Sequence, residues 1–325
     1  MKPLIGAVRL IWTFGFAALL VVAVAGILLW GYALVGLGAW ERFELEEGVQ
    51  AGDWLWIDGQ PIYYDEWGPE NGPTVVLVHG YAVEGSSIWQ TTSQELGGAG
   101  LRVIALDLRG FGRSGRDLTP DYGLRSQADM LAKALNELYV REATLVGHGW
   151  GSGVVLQLAA EQPQFVGRVV LLAPLLDDGL PPLWRQVIKL PHLGPAVAWA
   201  VSSGGPVWRA SHIQNFGNPE AIPRGYWDWV SPPTRVQGTA EALRMMALSP
   251  ADDNLPDTLS MIDMPILMLL GQEDHRVSQE SVEEMAAQLG DAQMVLVAGA
   301  GHALQIEQAG EVNARIADFA LRSVR

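Results

Sequence analysis

Residues 143–153 read ATLVGHGWGSG. A short apolar run stops at Gly147 and gives way to a turn with glycine at 147, 149 and 151, after which VVLQLAAE opens a helical pattern. A run that is apolar on both faces, bounded by glycine and too short for a helix, suits a buried parallel strand that feeds a helix. The same reading extends outward in both directions. TVVLVHG at 74–80, RVIALDL at 102–108, RVVLLAP at 168–174, PILMLLG at 265–271 and QMVLVAG at 293–299 are runs of this kind. Ahead of them, 54–57 and 62–65 flank Asp58-Gly59, a hairpin turn signal. Helical patterns fall near 87–96, 126–140, 150–161, 279–289 and 304–322. The alternation predicts an α/β domain with a doubly wound, mostly parallel, eight-stranded sheet. The stretch from about 175 to 262 breaks the rhythm. It is rich in Pro, Gly and Trp (Trp184, Trp199, Trp208, Trp227 and Trp229) and reads as a helical cap inserted after the sixth strand. Its aromatic residues are expected either to line an apolar ligand pocket or to form the cap's own core.

The composition bounds the functions open to the chain. Of 325 residues, 49% are hydrophobic and 18% charged, which excludes a disordered chain. The 36 acidic and 21 basic residues give a net charge of −15, a surface that repels phosphate backbones, so no nucleic-acid partner is expected. There is no cysteine, which rules out disulfides, thiolate metal sites and a cysteine nucleophile. The six histidines show no metal-ligand spacing, and neither a Walker loop nor a dinucleotide glycine fingerprint occurs, so no cofactor is expected.

The apolar excess sits at one end. Residues 10–39 form a run of 30 without a charge, LIWTFGFAALLVVAVAGILLWGYALVGLGA. A helix of that length measures about 45 Å, more than the ~30 Å of a bilayer's hydrocarbon core. A single transmembrane anchor over residues 1–40 is therefore expected, followed by a polar juxtamembrane linker at 41–52 and a domain at 53–325. Cleavage of a signal peptide after Ala25 would leave a further uncharged apolar stretch on the mature chain, which argues for the anchor. Lys2 and Arg9 precede the run, while Glu41, Glu44, Glu46 and Glu47 follow it. Positive charge stays cytoplasmic, which places the C-terminal domain in the periplasm or outside the cell. Residues 1–40 carry two basic groups and no acidic one, leaving −17 on the remainder.

Five motifs in order, HGY at 79–81, DLRGFGRSG at 107–115, GHGWGSG at 147–153, GQEDHRV at 271–277 and GAGHALQIEQ at 299–308, carry a resemblance. The stretch from about Trp54 to Arg322 resembles the α/β-hydrolase family, the esterases, dehalogenases and epoxide hydrolases among them, with the insertion in the place of its cap. In that family the turn after the fifth strand presents a serine or aspartate nucleophile between glycines. Here that position is Gly149, which has no side chain to form an acyl- or alkyl-enzyme. Ser152 lies one helical turn away and lacks the flanking glycines. The resemblance implies that Asp274 is the acid and His302 the general base of a remnant dyad, and that the backbone amides of Tyr81 and Trp150 form an oxyanion hole. His79 reads as structural. His148 and His275 neighbour motif positions with no assigned role, and His192 and His212 lie in the cap.

Three functional readings follow. The first is a membrane-anchored, non-catalytic family member that binds a small apolar ligand under the cap or serves as an accessory subunit of a membrane-protein complex. Gly26, Gly31, Gly36 and Gly38 would let partner helices approach the anchor closely. The second is a hydrolase whose nucleophile at 149 has been replaced. The absence of proline after His79-Gly80 tilts that reading towards a serine-type esterase rather than an aspartate-type dehalogenase or epoxide hydrolase. The third keeps His302 and Asp274 as a base that works without a covalent intermediate.

Overall fold

The computed structural model describes residues 14–17, 19–28, 30, 31, 35, 41, 53–117, 121–176, 182–191, 193–249 and 255–322. Eight strands build one sheet: β1 (Asp53–Ile57), β2 (Gln60–Trp67), β3 (Thr74–Val78), β4 (Arg102–Leu106), β5 (Ala143–His148), β6 (Val166–Leu172), β7 (Ile266–Gly271) and β8 (Ala292–Val297). Their order is β1-β2-β4-β3-β5-β6-β7-β8, and β2 alone runs against the rest. The β1–β2 hairpin turns through Asp58 at φ 52° and Gly59 at φ 77°. Positive φ at both central residues is the turn whose twist matches that of the flanking strands.

The central strands are those whose sequence is apolar on both faces. Val75 to Val78 and all of β5 are buried, and helices cover both sides of the sheet. The helix Leu124–Glu137 shows why: Leu124, Ala128, Leu131 and Leu135, at helical spacing, are buried against the sheet, while Arg125, Asp129 and Lys133 face outward. The helical pattern at 304–322 resolves into two pieces, Leu304–Glu307 and Ala309–Leu321, broken at Gln308 (φ −123°, ψ 45°). The bend lets Glu307 turn back to accept hydrogen bonds from Gly301 N (2.7 Å) and Asn218 N (3.0 Å).

From β3 the chain crosses to β4 on one side, and β5 then takes the other. Ligand crevices of open α/β sheets form outside the carboxyl ends of the strands where the winding reverses in this way. The segments that leave β3 and β5 at that point are Gly80-Tyr81 and His148-Gly149-Trp150.

The insertion between β6 and β7 is helical and includes Leu193–Ser202, Pro206–Ile213, Tyr226–Val230 and Thr239–Leu248. Its described aromatic residues form the cap's own cores. Trp208, Phe216 and Tyr226 pack in one buried cluster with Trp227 and Trp229 against it, and Trp199 packs in another with Ala196, Ala198 and Ala240.

The expected anchor at residues 1–40 and linker at 41–52 lie largely outside the described residues. Residues 14–17, 19–28, 30 and 31 are helical. Among the described residues no helix is long and apolar enough to cross a membrane. Glu41, the first residue of the expected linker, docks on the cap: its carboxylate accepts from Gly238 N (2.8 Å) and Ala240 N (2.9 Å) at the start of the helix Thr239–Leu248. Burial pushes its carboxyl up, against the opposing pull of those two amides.

Candidate active site

The turn after β5 is built so that only glycine fits at its key points. A Cβ on Gly151 would lie 2.3 Å from His79 O, because the helix Gly151–Glu161 starts hard against the end of β3. Gly149 stands at φ +52°, its amide donating to Leu172 O (2.9 Å) and its carbonyl accepting from Ser152 N and Leu175 N (both 3.0 Å). Left-handed backbone at the tip of a strand-to-helix turn is the geometry that pushes a side chain out over the sheet. A Cβ placed there would point at His302 Nε2, 3.2 Å away. The turn thus keeps the shape of a nucleophile turn while its sequence supplies no nucleophile.

His302 Nδ1 donates to Asp274 Oδ2 (2.9 Å), and the Asp274 side chain is fully buried. Its other oxygen, Oδ1, accepts from Arg276 N (2.7 Å) and Val277 N (3.0 Å). Burial pushes the Asp274 carboxyl up. The hydrogen bond and charge of His302, with the two backbone amides, outweigh it and hold the group below the usual carboxylate range. With Nδ1 committed to Asp274, a neutral His302 presents its Nε2 lone pair towards Gly149. Ser152, by contrast, is fully buried and donates Oγ–H to Gly147 O (3.0 Å), and it does not line the cavity at Gly149.

Tyr81 and Trp150 both line that cavity, whose volume is about 50 Å³. Their rings stack edge-on, 5.9 Å apart, and both pack on Phe111. Tyr81 Oη also donates to Leu243 O of the cap (3.0 Å), which joins the loop after β3 to the lid above it. Of the cap residues that line the cavity, Tyr226 is the one aromatic among the described residues. Of the cap tryptophans, expected as lining or as core, Trp199 and Trp208 are buried core, and Trp227 and Trp229 pack against it.

Two histidines hold the site in place. His79 accepts from Leu108 N at Nε2 (2.9 Å), so its proton is on Nδ1, which donates to Gly80 O (2.7 Å). His148 Nε2 donates to the His302 carbonyl (2.9 Å) and so fixes the backbone beneath the dyad. Burial, helped by the neighbouring His302 ring, pushes His148 down to about 3, and burial also lowers His79. Below the ordinary histidine value of 6.5 the unfolded chain therefore binds more protons than the folded one. Stability should fall as the pH is lowered from about 6.5 towards 3. Urea midpoints at a series of pH values check this, and His148→Gln should flatten the slope. His275 is exposed, and His192 lies outside the described residues.

Sequence reasoning missed the buried pair of Glu84 and His212. His212 Nε2 donates to Glu84 Oε1 at 2.7 Å, joining the cap helix Pro206–Ile213 to the loop after β3. The sequence held one signal: Glu84 is the single charged side chain between residues 74 and 94. Gln305, one turn beyond His302, was missed as well, and like Glu84 it lines the cavity.

The sequence profile of the Alpha/beta hydrolase family matches residues 75–315, a span that includes the turn at Gly149, Asp274 and His302. The chain belongs to the alpha/beta hydrolase family. Among its relatives is a haloalkane dehalogenase of Mycolicibacterium paratuberculosis, 32% identical over 234 residues, covering 67% of this chain and 73% of the dehalogenase. An esterase from Exiguobacterium antarcticum shares the fold with a TM-score of 0.68 at 18% identity, covering 83% of this chain and all of the esterase. A bacterial membrane phospholipase A does so with a TM-score of 0.67 at 21% identity, covering 96% of this chain and 99% of the phospholipase. Within this alpha/beta hydrolase scaffold, glycine at 149 is a testable feature of the turn. Gly149→Ala should destabilise the domain by roughly 1 kcal/mol or more, because alanine must adopt positive φ. At a relaxed site the same change would stabilise by about 0.4–1 kcal/mol through the stiffer unfolded chain. The sign in matched denaturant melts decides between them.

Proposed function

We propose that this chain binds a small carbonyl-containing ligand at Gly149 and His302 without forming a covalent intermediate. The observation that carries this is the turn itself: the backbone keeps φ +52° and faces His302 Nε2, while residue 149 has no nucleophilic atom. Tyr81 and Trp150 stand where their amides would receive a ligand's carbonyl oxygen, and Asp274 orients His302. The uncharged run at 10–39 would tether the domain to a membrane from outside the cytoplasm, as an accessory subunit would require.

A fluorophosphonate probe should leave the intact mass of the full chain unchanged, and activated esters should give no burst. Short esters should nonetheless show contact with the protein in ligand-observed NMR. Stoichiometric labelling of any serine would sink the proposal. A second reading is favoured by the cavity at His302 Nε2, which has room for water. There His302 would take a proton from water as the oxygen attacks the ester carbonyl, then return it to the departing alkoxide. Slow product release that His302→Ala abolishes would select this reading over pure binding.

A further inference from the structure

Three side chains on the wall of the cavity at Gly149 each bear a buried hydrogen-bond acceptor that meets no donor among the described residues. They are Glu84 Oε2, Gln305 Oε1 and His148 Nδ1. Glu84 is 3% exposed and Gln305 2%. Buried polar atoms are almost always paired, so three orphans of one kind around one cavity need an explanation. All three are acceptors by chemistry. Oε1 of Glu84 takes the His212 proton and leaves Oε2 with lone pairs only. His148 spends its proton on the His302 carbonyl, and burial keeps the ring neutral. A ligand group that pairs with one of them must bring a hydrogen.

A hydroxyl fits better than an ammonium. The Arg276 guanidinium lines the same cavity and would repel a cation, and two of the three acceptors are uncharged. We propose that Glu84 and Gln305 form a hydroxyl-reading subsite, so that the ligand of this site is a short ester with a hydroxyl group close to its carbonyl. The inference rests on the non-covalent binding site proposed above and names its ligand class. Glu84 suits the task because His212 anchors one oxygen from the cap and leaves the other for the ligand. A site built to pair with a hydroxyl discriminates strongly against an analogue that lacks it, because the acceptors are then left dry and unpaired.

Methyl glycolate and methyl propionate test the subsite, since they match in size and differ by a hydroxyl in place of a methyl group. Ligand-observed NMR titrations on the full chain should give a Kd for methyl glycolate about tenfold or more below that for methyl propionate. Gln305→Met should bring the ratio near unity, a loss of discrimination between the two esters that a merely structural residue would not produce. Glu84→Gln, which keeps the shape and removes the charge, should reduce the ratio as well. Equal binding of the two esters to the parent chain overturns the subsite while leaving the binding site standing. A ratio that neither variant alters overturns it too. If neither ester binds the parent, the non-covalent site fails and the subsite falls with it.

Discussion

Replacing Gly149 by serine is expected to give the protein a burst of acyl-enzyme and steady turnover of p-nitrophenyl acetate about 10³-fold above the parent chain. The parts are in position. The Cβ direction at 149 leads to His302 Nε2 at 3.2 Å, and His302 is already oriented by a buried Asp274 at 2.9 Å. A serine Oγ would lie within hydrogen-bond reach of the imidazole, which takes its proton as Oγ attacks the carbonyl carbon. The 3.2 Å approach is tight, so the ring must yield by a few tenths of an ångström. The variant should also be less stable than the parent by about 1–3 kcal/mol, since serine at φ +52° is strained. Gain of activity with loss of stability is the joint signature. In the serine background, Asp274→Asn should return turnover close to that of the parent chain, through the wrong imidazole tautomer. A well-folded serine variant with no turnover and no probe labelling would show that the dyad does not act on residue 149.

His212→Ala should destabilise the domain by about 3–5 kcal/mol, the cost of leaving one partner of a buried pair alone. Both oxygens of Glu84 would then lack a partner at a site that is 3% exposed. Burial pushes the Glu84 carboxyl up, and the charge and hydrogen bond of His212 pull it below its ordinary value of 4.5. A depressed carboxyl stabilises the fold above that value, and the benefit is lost as the pH falls through its folded-state value. In the alanine variant the main opposition to burial is gone, so the carboxyl is pushed up and penalises the fold chiefly at higher pH. Parent and variant melts should therefore converge as the medium is acidified below about pH 4.5. A gap of under about 1 kcal/mol near neutral pH would show that the pair is dispensable.

How much of this was legible in the sequence depended on the range of the interaction. The central strands are short apolar runs that end at glycine, so TVVLVHG and ATLVGHG declared their own position and length. The β1–β2 turn was legible for the same local reason, Asp58-Gly59 being a pair that accepts positive φ. The antiparallel run of β2 beside β4 was not, because nothing within QPIYYDEW states which strand it will meet. In the site, Asp274 and His302 were found through motifs that follow their strands, and the fold brings them together from 28 residues apart. Glu84 and His212 are 128 residues apart on elements with no shared motif, and each is unremarkable in its own neighbourhood. The cap tryptophans show the limit of composition. Five of the thirteen tryptophans marked an aromatic lid, but whether Trp208 faces a ligand or Trp227 is set by packing that no local pattern encodes.

Glu41 fixes the load path of the molecule. Two hydrogen bonds tie Glu41 to the first amides of a cap helix, and among the described residues no strand takes part in that joint. Tension applied through the N-terminus is delivered first to the lid. The lid is in turn fastened to the floor of the cavity by Tyr81 Oη on Leu243 O and by His212 on Glu84. A pull on the leading end would thus strain the fastenings that roof the cavity before it reached a single rung of the ladder between β3 and β5. Whatever holds the front of this chain holds its lid.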